Sequence, residues 1–277
     1  MNNKKRLDDI LVEKKLTPNK SKARSLIIDK KVLVNNEKII KPGTLFNETK
    51  ITIKIINNER KFVSRAGKKL FKAVNIWNID LKNKVCLDIG SSTGGFTQVC
   101  LESGAKKVYA LDVGTNQLEW SLRTNPKVIS MENTNFRYTK KEDFKDTIDF
   151  FCCDVSFISL EKIFPSLNNI IDDNISGVLL IKPQFELTAA DVIKGKITSS
   201  ELHIKAINQI FKYANNNNFS VMKLSFSPIL GNKKQNIEYI MLVTKTKNNT
   251  NSIMNDEIIA IVNNAWKYFS EDDSDVE

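Results

Sequence analysis

Several short apolar runs in this chain end abruptly in a charged residue. Lys84–Leu87 runs into Asp88, Lys107–Leu111 into Asp112, Ile148–Cys153 into Asp154, and Gly177–Ile181 into Lys182. Such runs, alternating with stretches of helical periodicity, predict a parallel sheet in an α/β domain. In open parallel sheets the ligand crevice lies outside the carboxyl ends of the strands. The four charges therefore fall where a site would form.

The loop after the first run reads Asp88-Ile89-Gly90-Ser91-Ser92-Thr93-Gly94-Gly95-Phe96-Thr97 and leads into a helix. Glycines let backbone approach a ligand closely, which makes Asp88, Gly90, Ser91, Gly94, Gly95 and Phe96 cofactor-binding candidates. The glycine spacing differs from that of the dinucleotide fingerprint, G-x-G-x-x-G. A carboxylate at Asp88 would sit badly beside a pyrophosphate. It suits a ligand with a cationic amino group and no phosphate, such as S-adenosylmethionine; NAD is the alternative. Asp112, ending the next run, lies where an acidic residue commonly accepts hydrogen bonds from a ribose.

The elements that must hold these residues begin near Phe62. Before it the pattern differs. Leu7, Ile10 and Leu11 mark a helix over Arg6–Lys15, and Asn19 or Ser21 caps a second one running to Lys31 with Ala23, Leu26 and Ile27 inward. Lys20, Lys22, Arg24, Lys30 and Lys31 decorate that helix. Val32-Leu33-Val34 and Lys38-Ile39-Ile40 flank an Asn35-Asn36 hairpin turn, and Lys50–Ile56 alternates like a half-exposed strand. The domains read as 1–58, a linker at 59–63, a second domain at 64–270 and an acidic, unstructured tail at 271–277.

Charge follows the same division. Of the net +10, residues 1–60 carry +8, from 15 Lys/Arg against 7 Asp/Glu. A concentrated excess points to a polyanion, most simply nucleic acid; an anionic membrane surface is the other reading. No apolar run approaches the roughly eighteen residues that span a bilayer, and the basic start lacks the apolar stretch of a signal peptide. The single histidine, His203, speaks against Ser–His catalysis and histidine-based metal sites. Cys86, Cys100, Cys152 and Cys153 lack the paired spacing of a zinc site and read as buried small hydrophobes in a reducing, cytoplasmic compartment. Trp77, Trp120 and Trp266 read as core or interface residues. No metal is expected, and a monomer is.

The segment "RLDDILVEKKLTPNKSKARSLIIDKKVLVNNEKIIKPGT" resembles the alpha-L RNA-binding domain named after ribosomal protein S-four, over about Lys5 to Ile56. The resemblance implies RNA contacts from the basic helix and from Arg6. Further on, "FVSRAGKKL", "CLDIGSSTGGFTQVCL", "VYALDVGTNQLEWSLR", "CDVSFISL", "LIKPQFE" and "SPILGNKKQNIEYIML" resemble the TlyA family. Its members, once called hemolysins, act as ribosomal RNA 2′-O-methyltransferases. That implies a Rossmann-like, seven-stranded methyltransferase domain of the FtsJ/RrmJ class, with a Lys–Asp–Lys–Glu tetrad matched by Lys69, Asp154, Lys182 and Glu238. Asn135 falls where related enzymes often place an Asp for the adenine, and Arg65 follows Ser64 as a possible phosphate contact. The implied substrate is a ribosomal RNA cytidine.

The residue types suit that chemistry. A ribose hydroxyl is a poor nucleophile at neutral pH, whereas a sulfonium already carries a good leaving group. The enzyme must align oxygen, methyl and sulfur and help remove a proton. A lysine beside another lysine and away from water has a lowered pKa. Lys182 is then expected to orient and deprotonate the hydroxyl, Lys69 to depress its pKa and hold RNA, Glu238 to position Lys182, and Asp154 to orient a lysine and favour the sulfonium end. Two other functions compete: a non-catalytic RNA-binding or ribosome-assembly factor on the same fold, and a membrane-active hemolysin.

Overall fold

The computed structural model describes residues 4–17, 19–55, 62–231, 235–246 and 251–273, with residues 271–273 described by backbone alone. The chain divides into two compact units, Met1–Lys61 and Phe62–Glu277.

In the first unit, β1 (Lys4–Arg6) leads directly into α1 (Leu7–Glu13), whose Leu7, Ile10 and Leu11 are fully buried. The second helix, α2 (Lys20–Ile28), starts where Asn19 accepts from the Lys22 amide at 2.8 Å, satisfying a donor that the first turn leaves free. Strands β2 (Val32–Val34) and β3 (Glu37–Lys38) pair antiparallel across Asn35 and Asn36, whose φ angles of 52° and 70° suit a tight hairpin. Next, β4 (Leu45–Asn47) pairs with β1, and β5 (Ile53–Ile55) pairs with β2. The small core joins Leu7, Leu11, Ala23, Ile27, Val32 and Val34.

In the second unit α3 (Gly67–Ile76) precedes β6 (Val85–Ile89), α4 (Gly95–Glu102), β7 (Lys107–Leu111), α5 (Trp120–Arg123) and β8 (Val128–Met131). Then come β9 (Phe150–Cys153), α6 (Phe164–Ile170), β10 (Ser176–Ile181), α7 (Pro183–Glu186), α8 (Ser200–Asn216), β11 (Phe219–Phe226), β12 (Tyr239–Lys245) and α9 (Asn255–Asp273). The seven strands form one sheet in the order β11-β12-β10-β9-β6-β7-β8, with β12 antiparallel to both its neighbours. The topology reverses between β6 and β9, where a crevice opens in sheets of this kind.

Side chains alternate across the sheet. On one face Cys86, Phe150, Cys152, Val178, Leu180 and Ile240 pack with Leu70 and Ala73 of α3 and Phe96 and Val99 of α4. On the other, Leu87, Phe151, Leu179 and Met241 pack with α6, α8 and α9 through Phe164, Ile207 and Val262. Burial on both faces explains why these strands read as continuous apolar runs. All four cysteines are buried and free.

Three features differ from the sequence reading. Asp88 lies inside β6 rather than beyond its end. Trp120 is 72% exposed at the start of α5, which excludes the core half of its core-or-interface reading. The last helix continues through 271–273, because a helix already packed through Ile258, Val262 and Ala265 propagates at little cost. Residues 59–61 of the expected linker and 274–277 of the expected tail lie outside the described residues. Among the described residues, no helix is long and apolar enough to cross a membrane.

Candidate active site

Strand alternation selects the residues that meet. Asp154 continues the parity of Phe150 and Cys152, Lys182 that of Val178 and Leu180, and Glu238 that of Ile240. All three therefore belong to the face covered by α3, which carries Lys69. Because β12 runs antiparallel, its start sits beside the end of β10, with Tyr239 opposite Ile181. Glu238 thus arrives at the strand ends that bear Lys182 and Asp154.

The four side chains form one line of opposite charges. Glu238 Oε2 accepts from Lys69 Nζ at 2.6 Å, and Lys69 also donates to Asp154 Oδ2 at 3.3 Å. The other Asp154 oxygen lies 2.6 Å from Lys182 Nζ, which donates to Ser156 Oγ at 2.8 Å. Lys69, Lys182 and Glu238 are only 7%, 6% and 3% exposed.

This arrangement departs from the expected roles in two respects. Glu238 holds Lys69, not Lys182. Burial works against the Lys69 ammonium, but Asp154 and Glu238 outweigh it and hold its pKa above the ordinary value, so Lys69 is a fixed cation. Burial likewise opposes ionisation of Asp154, and Lys182 and Lys69 reverse that, holding its carboxyl below the usual range. The lysines face each other across a carboxylate, which cancels the lysine–lysine repulsion on which the sequence argument relied.

These residues line a cavity of about 730 Å³ together with Arg65, Gly90, Ser91, Gly95 and Phe96. Its size is typical of a small-ligand site. Gly90 has φ +80°, and a Cβ there would come within 2.9 Å of the Asp154 carbonyl oxygen, so only glycine lets the loops after β6 and β9 approach this closely. Gly94, Asp88, Asp112 and Asn135 are not on the cavity wall. A side chain at Gly94 would point at Leu118 and Leu122, so Gly94 serves helix packing. Asp88 is fully buried beneath the loop, accepts from Thr97 Oγ1 at 2.6 Å, and is pushed up to about 7 by burial. Its second oxygen has no partner among the described residues. Asn135 caps a short turn by accepting from the Arg137 amide at 3.2 Å.

Asp112 accepts from the Ser92 amide at 2.8 Å and the Gly114 amide at 2.7 Å. With Ser92 N–H taken and two carboxylates under and beside the loop, the loop makes a poor phosphate cradle. It fits S-adenosylmethionine better than a dinucleotide. Gly90, Ser91 and Gly95, which line the cavity, are the loop residues that would lie against such a ligand.

Several lining residues were not singled out by the sequence reading. Phe157 is 85% exposed at φ +62°, a conformation rare for a bulky residue. It packs against Phe185 with ring centroids 5.1 Å apart. Asn236 accepts from the Ile197 amide at 3.1 Å and donates to the Gly195 carbonyl at 2.8 Å, fixing another stretch of wall. His203 is remote from this chemistry: it is 1% exposed, bonded to Tyr239 Oη at 2.9 Å, and pushed down to about 4 by burial.

In the first unit Asp8 is fully buried and gathers two arginines. Arg6 donates to it twice, at 3.0 and 2.9 Å, and Arg24 once at 3.0 Å. Lys20 pairs with Asp9 at 2.6 Å. Lys22 and Lys30 are exposed, and Lys31 is half-buried near Asp29. The basic excess is thus partly neutralised locally, while the arginine side chains remain 44% and 52% exposed.

The FtsJ-like methyltransferase family matches residues 62–245, and the S4 domain matches residues 5–49. The chain is 42% identical to Hemolysin A of Brachyspira hyodysenteriae over 237 residues, 85% of this chain and 98% of that protein. It is 34% identical to the 16S/23S rRNA (cytidine-2'-O)-methyltransferase TlyA of Mycobacterium tuberculosis over 237 residues, covering 85% and 88%. A solved structure from Streptococcus thermophilus that bears a hemolysin name is 38% identical, with a TM-score of 0.76 over 98% of each chain. With both of its domains matched in order and relatives that align along most of its length, this chain belongs to the TlyA family of FtsJ-like methyltransferases.

Proposed function

We propose that this protein methylates a ribose 2′-hydroxyl in ribosomal RNA, at a cytidine, with S-adenosylmethionine as donor. The observation that carries this reading is the buried line Glu238–Lys69–Asp154–Lys182, which borders the same cavity as the glycine loop. The donor supplies a methyl group on a sulfonium. Lys182 is the end of the line that reaches outward, to the exposed Ser156, so a substrate hydroxyl can take its place as hydrogen-bond partner. Lys182 then orients the oxygen and, in its neutral form, is the acceptor for the hydroxyl proton. Lys69, kept charged by Asp154 and Glu238, fixes Asp154, and Asp154 fixes Lys182. The mycobacterial relative's name specifies cytidine in 16S and 23S rRNA, and the S4 domain with its basic surface supports an RNA substrate in the cytoplasm.

Mass-spectrometric mapping of ribose methylation in ribosomal RNA, with and without the gene, tests this reading. The expected result is loss of one or more 2′-O-methylcytidines that the purified protein restores. Identical maps would refute it, and binding of labelled S-adenosylmethionine would then tell an enzyme with another substrate from a non-catalytic RNA-binding factor.

A further inference from the structure

Glu186 is a buried carboxylate outside the charged line. It ends α7, is 6% exposed, and accepts from Ser159 Oγ at 2.6 Å and from the Leu160 amide at 3.1 Å. Burial pushes its carboxyl up to about 7 despite these two donors. Ser159 in turn accepts from the Glu161 amide at 3.0 Å, capping the short turn Leu160–Lys162. The carboxylate thereby ties two segments together. One leaves β9 and bears Asp154, Ser156 and Phe157; the other leaves β10 and bears Lys182 and Phe185.

The tie secures one wall of the cavity. Phe157, Phe185, Ser156 and Lys182 all line it. Phe157 keeps a large ring 85% exposed at a positive φ. Such a conformation persists only where its surroundings over-determine it. Two constraints are visible: the Phe185 ring beside it, and the Glu186–Ser159 bond two residues further on. Glu186 is absent from the cavity lining, so it acts on a ligand only through these neighbours.

We infer that Glu186 is a positioning residue for the RNA substrate: through Ser159 and Leu160 it holds the Phe157–Phe185 wall beside Lys182, against which the nucleotide to be methylated rests. Unpaired nucleotides are commonly engaged through aromatic faces, and no other exposed ring pair lines this cavity among the described residues. The inference rests on the proposed RNA methylation.

The test uses the full-length protein with Glu186→Ala, Glu186→Gln, Ser159→Ala and Phe157→Ala, singly and in combination. Calorimetry reads S-adenosylmethionine affinity, and single-turnover methyl transfer reads the half-saturating concentration of ribosomal RNA. Glu186→Ala should raise that concentration about tenfold, the scale of a lost buried hydrogen bond, with cofactor affinity unchanged. Glu186→Gln should recover part of the loss, since its carbonyl still accepts from Leu160. In a Phe157→Ala background Glu186→Ala should add little, because the two act as one unit. Additive effects, or cofactor affinity falling in step with RNA affinity, would overturn the inference. If Glu186→Ala does not fold, Ser159→Ala and Glu186→Gln carry the same comparison. Absence of transfer by the wild type overturns the proposed function and this inference with it; wild-type transfer with unaltered variants overturns the inference alone.

Discussion

Two clusters of opposite charge, one in each unit, use the same pairing to different ends. In the first unit a fully buried Asp8 anchors Arg6 and Arg24, whose side chains stay about half exposed. In the second, the Lys69 and Lys182 side chains are only 8% exposed, enclosed by Asp154 and Glu238. Arginine keeps its charge at any working pH and presents a planar set of donors, which suits an outward grip on phosphates. Of the two enclosed lysines, Lys69 is held charged by its carboxylates, and Lys182 is the one proposed to take part in the chemistry. A carboxylate that orients cations therefore builds a binding surface when the cations face water, and a reaction site when they do not.

The comparison predicts the largest effect at Lys182. Lys182→Ala should slow methyl transfer by roughly two to four orders of magnitude while leaving cofactor binding nearly intact. Lys182→Arg should fail almost as badly, because guanidinium keeps its proton. Single-turnover rates across pH decide this: a near-normal arginine variant would reduce Lys182 to an orienting group and leave deprotonation to water.

The next effect concerns stability. Asp154→Ala strands the buried Lys182 ammonium and leaves Lys69 with Glu238 alone, and breaking such a buried pairing costs about 3–5 kcal/mol. Asp8→Ala leaves its two arginines in contact with water and should cost less, about 1–2 kcal/mol. Urea denaturation followed separately in each unit gives both values, and equal losses would erase the distinction drawn here.

Asp8 also carries a pH signature. Burial opposes its ionisation, but hydrogen bonds from Arg6 and Arg24 prevail and bring its carboxyl to about 2. That lies below the value of roughly 3.9 in an unfolded chain. The stability it contributes is therefore present above about pH 4 and lost as the pH falls toward 2. Acid titration of the first unit should show this loss, and Asp8→Asn should flatten it; an unchanged acid profile in Asp8→Asn would assign the acid sensitivity elsewhere.

The smallest effect is expected at Arg24. Arg24→Ala should lower RNA affinity modestly and reduce the salt dependence of binding by less than about one unit in log–log slope, as for one lost phosphate contact. Cofactor affinity measured in parallel should not move. An unaltered salt slope would mean that Arg24 serves Asp8 rather than RNA.

Much of the frame was legible in the chain. Leu7, Ile10 and Leu11 announced α1 by their spacing, Asn35-Asn36 announced the hairpin, and the run Lys107–Leu111 matched β7 in full. By contrast β11, interrupted by Ser220, Lys223 and Ser225 beside a register shift, offered no clear run. The charged ends Asp154 and Lys182 were visible because each directly follows an unbroken apolar run. Phe157 and Glu186 were not. A positive φ at a phenylalanine has no local signature, and a glutamate buried by tertiary packing reads like any surface acid.

The sequence by itself determined that Asp112, Asp154 and Lys182 stand at strand ends and, through the two-residue period, that Asp154 and Lys182 each share a face with their own strand's alternate residues. It also determined the loop that must pass close to its neighbour, since Gly90 permits what a Cβ would block. Only the tertiary structure decided who pairs with whom. The order β12-β10-β9-β6, the antiparallel register that sets Tyr239 opposite Ile181, and the packing of α3 on that face brought Glu238 to Lys69 and set Asp154 between the lysines. The reason is physical: periodicity is a local property of the chain, whereas strand order and register depend on which distant surfaces bury one another, and a charge in a dry interior takes the partner that this packing delivers.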